Sequence, residues 1–341
     1  MFHSVIEVIR WEPIPAVARF PEAHTWLSFQ ACRGLARNTL DAYGRNLDRY
    51  LRFLEPQGKK PWEVKADTVG LYLRQLLARP EVANTEGPDG GLSNATVQQH
   101  LASLRLFYDY LVEEELCRRN PFRNGIGYAS RSLVRREHRL PWIPNEEEWN
   151  RFLSAATSER IRNRLMLAMS YDAGLRREEL CLLDTGDIDP AHRTLRIRAE
   201  TTKSRRSRVL PYSVGTGELL GHYLQARRII SRERGRLFLS ESRRNRGRPV
   251  SIWSWSKVVA AIAQRAGLIQ FSPHTTRHLC LTDLARAGWD IQEIATFAGH
   301  RRVQTTMIYV HLSARDLAAK FNSTMSQIHE RRMEQIREVF G

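Results

Sequence analysis

His274-Thr275-Thr276-Arg277-His278, followed by Ala298-Gly299-His300 and then by Tyr309 two residues before His311, is the stretch on which the reading of this chain turns. It sets a hydroxyl nucleophile near imidazoles and an arginine. It holds no cysteine pair and no Asp-rich cluster of the kind that gathers a metal. That mixture suits attack on phosphorus, where guanidinium and imidazole groups neutralise a phosphate while a tyrosine forms a covalent ester.

The rest of the chain agrees with an anionic partner. Its 341 residues are enough for two domains with their own cores, and 42% hydrophobic with 26% charged residues describes an ordinary globular protein. The formal net charge of +16 is far from ordinary. Such a surplus favours a polyanion, because each phosphate neutralised by Lys or Arg releases condensed counterions. Nucleic acid is therefore the expected partner, ahead of an anionic membrane surface. No uninterrupted apolar run approaches about 18 residues, so no membrane span is expected, and the first residues do not read as a signal peptide. Cys32, Cys117, Cys181 and Cys280 form no Cys-x-x-Cys pair. Reduced, mostly buried thiols of a cytoplasmic protein are expected, with no metal and no cofactor.

Periodicity divides the chain. Residues 1–20 hold two prolines and no long pattern, and read as a lead-in. From 21 to 122 the apolar residues Trp26, Phe29, Leu40, Tyr43, Leu47, Tyr50, Leu51 and Leu54, a helix over 61–79, and a third set from Val97 to Leu116 predict an all-α domain of about four helices. Arg37 and Arg45, on the polar side of that pattern, face solvent or a partner. Residues 123–145 lose the periodicity and accumulate arginines, among them Arg135 and Arg136, which reads as a basic linker able to follow a phosphate backbone. Beyond it the pattern is mixed. Helices are predicted at 146–156, 161–173, 177–184, 217–230 and 253–267. Leu195 and Ile197 alternate with arginines and face Val209-Leu210-Pro211, which predicts a β-hairpin carrying Lys203 near its tip beside Arg205 and Arg206. Arg243 and Arg244 lie in a basic loop. The fold expected is mainly α with a small antiparallel β-sheet: a helical N-terminal domain followed by an α+β domain over 146–315. The tail, 316–341, reads as an amphipathic helix.

Gly174-Leu175-Arg176-Arg177-Glu178-Glu179-Leu180, the Lys203 hairpin, His274-Thr275-Thr276-Arg277-His278, Gly299-His300 and Tyr309 stand in the order and approximate spacing of the tyrosine recombinases, the phage-integrase superfamily, which the chain resembles over about 146–315. The helical half looks like that family's SAM-like core-binding domain, on weaker motif evidence.

The resemblance implies a site-specific DNA recombinase or integrase acting through a 3′-phosphotyrosyl intermediate and a Holliday junction, without metal or ATP. It implies two domains clamping double-stranded DNA, and a homotetramer on synapsed sites. The C-terminal helix would dock on a neighbouring protomer. The lead-in is too short for an added arm-binding domain, so core sites alone, or accessory DNA-bending proteins, are expected. Residue by residue, Arg176 and Arg277 match the phosphate clamp and Glu179 a supporting acid. Lys203 matches the general acid, His274 the base or proton relay, His300 the second histidine and Tyr309 the nucleophile. His278 and His311 match no core catalytic position and read as structural, as does Tyr171. A type IB topoisomerase-like enzyme shares this chemistry, and a sequence-specific DNA-binding protein that never cleaves is the alternative from another class.

Overall fold

The computed structural model describes residues 9–78, 92–123, 140–202, 204–310, 312, 321 and 324–332. Two compact units divide the chain, Met1–Arg139 and Leu140–Gly341.

The first unit is helical: α1 (Pro15–Arg19), α2 (Pro21–Cys32), α3 (Arg37–Leu54), α4 (Ala66–Ala78) and α5 (Asn94–Glu113). The apolar series from Trp26 to Leu54 belongs to two helices, because Gly34 takes a left-handed φ of 77° between them. Their buried faces meet α5 around Trp26, Leu47, Tyr50, Leu104, Phe107 and Tyr108, all fully buried. The phenols inside are satisfied in series: Tyr108 donates to the Pro61 carbonyl at 2.9 Å and Tyr50 to the Tyr108 oxygen at 2.7 Å.

The segment read as a lead-in is part of this core from Ile9 onward. Ile9, Ile14, Ala16 and Val17 are buried, and the buried Asp48 carboxylate of α3 accepts the Ala16 amide at 2.7 Å. The helix expected over 61–79 starts at Ala66, after a 3-10 turn at Pro61–Glu63. Arg37 and Arg45 are exposed. The Gly-rich stretch at 86–91, whose sequence reads as a loop, most of the basic linker with Arg135 and Arg136, and His311 lie outside the described residues.

The second unit begins with α6 (Glu146–Ala156), α7 (Ile161–Asp172) and the short α8 (Arg177–Cys181). A capping box opens α6: the Asn145 side chain accepts the Glu148 amide, and the Glu148 carboxylate accepts the Asn145 amide, each at 2.8 Å. A three-stranded antiparallel sheet follows in the order β1 (Ile188–Asp189), β2 (Thr194–Ile197), β3 (Arg208–Pro211). Leu195 pairs with Leu210 and both are buried, while Arg196 points out, as alternation requires. The two-residue β1 carries no periodicity of its own and was not expected.

The chain then continues through α9 (Val214–Ile230), α10 (Ile252–Arg265), α11 (Pro273–Arg286) and α12 (Ile291–Ala298). Their core is one cluster that includes Phe152, Leu165, Met169, Trp255, Phe271, Leu281 and Phe297, with the Phe152 and Phe271 rings stacked at 3.8 Å. Within the tail, 324–332 is helical, with Met325 and Ile328 half-buried and Phe321 exposed. Among the described residues no helix is long and apolar enough to cross a membrane.

Candidate active site

Three helix ends and one strand converge to build the site. Gly174 follows α7 with φ at 53°, and a Cβ there would stand 3.2 Å from Phe297 and 3.4 Å from Cys280. Only glycine makes that turn this close to α11 and α12. It places Arg176 as the N-cap of α8 and Glu179 at its third position, where capping geometry turns the carboxylate back on its own cap. Glu179 Oε2 accepts the Arg176 amide at 3.0 Å and Oε1 accepts Arg176 Nη1 at 2.8 Å. From β3, Arg208 adds a fork: Nη2 donates to Oε2 at 2.8 Å and Nη1 to Oε1 at 3.2 Å. The carboxylate is 1% exposed. Burial alone would raise its pKa, but the hydrogen bonds and charge of Arg208, then the charge of Arg176, outweigh this and hold it down at about 2.

Arg277 leaves α11 as a buried cation held by backbone oxygens. Nη1 donates to the Gly174 carbonyl, and Nη2 donates to Ala298 O at 2.7 Å and to His300 Nε2 at 3.0 Å. Burial, and then the charge of Arg176, push its pKa down to about 10, so it stays charged at neutral pH. Gly299 closes α12 in the left-handed region at φ 65° and delivers His300 to this guanidinium. Guanidinium nitrogens only donate, so Nε2 is the accepting nitrogen of His300 and Nδ1 carries the proton, which it donates to Thr306 Oγ1 at 2.9 Å. Burial and the charges of Arg277, Arg176 and Arg208 lower the His300 pKa to about 3, which fits that neutral form.

Tyr309, from the helical turn at 307–310, is 3% exposed. Its ring lies parallel to His300 within 7°, centroids 6.1 Å apart. Burial raises its pKa, and the charges of Arg277 and Arg176 work against that rise. Both arginines thus act on the phenol where it would ionise.

Arg176, Glu179, Arg277, His300 and Tyr309 are brought together. His274, in the first turn of α11, is exposed. Lys203 lies outside the described residues, although its neighbour Ser204 is tied to the site's last loop, its carbonyl accepting Arg301 Nη2 at 3.0 Å. Arg205, Arg206, Arg243 and Arg244 are exposed. Tyr171 is half-buried and donates to Asp283 at 2.8 Å, consistent with a structural role.

Two residues gain importance over their reading in the sequence. Arg208, which the hairpin pattern does not single out, is the principal partner of Glu179 and also donates to Phe297 O at 3.0 Å. His278, read as structural, places Nδ1 3.1 Å from the Tyr309 hydroxyl. Three guanidinium charges (Arg176, Arg208, Arg277) face one carboxylate (Glu179), leaving two positive charges around a tyrosine hydroxyl. Such a site can hold an anion beside the phenol.

Comparison with known proteins agrees with this chemistry. The family model described as "Phage integrase family" matches residues 144–315, and that of the "Phage integrase, N-terminal SAM-like domain" matches 26–115. The tyrosine recombinase XerC of Pelotomaculum thermopropionicum is 32% identical over 238 residues, covering 67% of this chain and 74% of that protein. The tyrosine recombinase XerD of Oceanobacillus iheyensis is 27% identical over 304 residues, covering 85% and 93%. Among solved structures, the XerH site-specific recombinase bound to a palindromic difH substrate, in a post-cleavage complex, superposes with a TM-score of 0.65 at 18% identity. The match covers 86% of this chain and 82% of that one. The Tn1549 transposon integrase in complex with a circular-intermediate DNA gives 0.63 at 19% identity, covering 84% and 93%. The phage integrase model spans about half of the chain and the SAM-like model much of its helical unit, and the chain belongs to the phage integrase family as a site-specific tyrosine recombinase.

Proposed function

We propose that the protein binds duplex DNA at a specific site and exchanges strands through a 3′-phosphotyrosyl ester. The observation that carries this reading is the cluster of cations beside Tyr309: Arg277 bonds His300, whose ring stacks on the phenol, and the charges of Arg277 and Arg176 both act on that phenol, with one carboxylate, Glu179, against three guanidinium groups. As the Tyr309 oxygen forms its bond to phosphorus, the P–O5′ bond breaks and charge grows on the non-bridging oxygens. Permanently charged, planar guanidinium forks fixed in advance stabilise that charge without reorganisation. Glu179, itself held by Arg208, fixes Arg176; the Gly174 and Ala298 carbonyls fix Arg277. His300 packs on the phenol ring and shares a hydrogen bond with Arg277.

Lys203, between β2 and β3 in the sequence, is the group we assign to protonate the departing 5′ oxygen. The freed 5′ hydroxyl of a partner duplex then attacks the phosphotyrosyl ester and releases Tyr309. Bond energy is kept in the ester, so the exchange is isoenergetic and calls on no ATP. Two such exchanges pass through a four-way junction and use four active sites, which implies a tetramer; the C-terminal helix is the proposed contact between protomers. XerH and the Tn1549 integrase, which share this fold, are both captured on DNA. The exposed arginines Arg37, Arg45, Arg205, Arg206, Arg243 and Arg244 are proposed to contact the backbone, together with Arg135 and Arg136 of the linker.

The test is a recombination assay on two plasmids carrying DNA that flanks the encoding gene. Recombinant joints are expected, and their loss in Tyr309→Phe. Relaxed plasmid with no recombinant joint would instead support the topoisomerase-like reaction, and binding without any strand cleavage would overturn the proposal.

A further inference from the structure

Nucleophilic attack by a phenol requires that its proton leave as the Oη–P bond forms, and an imidazole within hydrogen-bond distance of the Tyr309 hydroxyl is not the one the family pattern singles out. His274 and His278 are one helical turn apart on α11 and so share a face. Of the two, His278 places Nδ1 3.1 Å from the Tyr309 oxygen, with the rings tilted by 37° and centroids 5.8 Å apart. His300, whose ring stacks parallel to the phenol, has both nitrogens engaged, one by Arg277 and one by Thr306.

We propose that His278 takes the phenolic proton of Tyr309 at Nδ1 as Oη attacks phosphorus, and returns it when the ester is resolved. This inference rests on the recombinase reading above. The proton balance is simple: Oη–H becomes Oη–P, Nδ1 gains the proton, P–O5′ breaks, and the departing oxygen is protonated from the other side of the phosphate. In the second half of the exchange, the incoming 5′ hydroxyl loses its proton to the acid's conjugate base, and the leaving phenolate recovers its own from His278.

The surroundings fit that role. Burial, then the charges of His274 and Arg277, lower the His278 pKa to about 4, so the imidazole is neutral, and in its Nε2–H tautomer Nδ1 accepts from the phenol. Among the described residues, the groups acting on it are His274 and Arg277 from its own helix and Tyr309 from the 307–310 turn. A bound phosphodiester between Arg176 and Arg277 offsets their positive charge. The imidazole therefore becomes a better base when substrate is present.

The experiment uses the full chain and a nicked suicide duplex, whose cleavage traps the covalent adduct in a single turnover. His278→Asn keeps a hydrogen-bond acceptor near the Nδ1 position but cannot take a proton, so the adduct is expected to form roughly 10²-fold more slowly or worse. Replacing Tyr309 by 3,5-difluorotyrosine lowers the phenol's own pKa. With that nucleophile, the gap between His278→Asn and the unmutated histidine is expected to shrink to less than about tenfold, as general-base catalysis requires. His278→Gln, with matched melting temperature and DNA affinity, guards against a folding defect in the Asn variant. The inference is overturned if both His278 variants cleave at the wild-type rate, if their loss is the same with either nucleophile, or if fluorination rescues His274→Asn instead. Adduct formation by the wild type in the same series tests the recombinase reading separately.

Discussion

Replacing Glu179 by Gln probes the electrostatic centre of the site. The carboxylate is 1% exposed and receives four hydrogen bonds, two from Arg208 and two from Arg176. An amide of the same shape turns one acceptor into a donor that faces N–H groups, and leaves the 8%-exposed Arg208 side chain without its counter-charge. The fall of the Glu179 pKa from an ordinary 4.5 to about 2 corresponds to about 3 kcal/mol of preference for the charged form in the folded state. Breaking a buried ion pair by removing one partner costs a similar ~3–5 kcal/mol.

The pH dependence follows from the depressed folded-state pKa. The stabilisation is fully present above the unfolded value of 4.5 and is lost as pH falls through about 2. Calorimetric unfolding of the full chain, following the transition of the Leu140–Gly341 unit, should show Glu179→Gln less stable by roughly 3 kcal/mol at pH 7, with the difference from wild type narrowing between pH 5 and pH 3. A difference that stays constant over that window, or no difference at pH 7, refutes the reasoning.

Arg277→Lys keeps the charge but not the fork that spans the Gly174 and Ala298 carbonyls. Single-turnover cleavage should fall by roughly 10²–10³-fold, with DNA affinity in gel shifts changed far less. Gly299→Ala puts a Cβ at φ 65°, 2.9 Å from the Arg208 guanidinium, which Glu179 and Phe297 hold in place. A loss of roughly 2–3 kcal/mol in denaturant melts is expected. DNA affinity, measured between about 50 and 200 mM salt, should fall by several orders of magnitude, and Arg205→Ala with Arg206→Ala should flatten the log–log slope by about 1 per arginine.

The segments proposed as catalytic stand out in the sequence because each is local: a glycine turn, a capping carboxylate three residues on, and a tyrosine in fixed order after them. The β2–β3 hairpin was legible because Leu195 and Ile197 alternate with arginines against a partner Leu210. Arg208 was not. Its importance comes from meeting Glu179 across 29 residues of chain, and a strand arginine beside Arg205 and Arg206 carries no local mark of that encounter. His278 escaped for a similar reason. One helical face holds both His274 and His278, and spacing cannot tell which of them the 307–310 turn brings the phenol against. Residues 9–20 were misread as a lead-in because α1 is five residues long, too short for a period. The tie from Asp48 to Ala16 is visible only in three dimensions.

The central claim is that Tyr309 becomes esterified to phosphate. Wild-type protein incubated with a nicked recombination site, digested with protease and analysed by mass spectrometry should yield a peptide carrying nucleotide on Tyr309 through a 3′ phosphate. Tyr309→Phe should bind the same DNA and yield none. An adduct on another residue, or one that persists in Tyr309→Phe, contradicts the account.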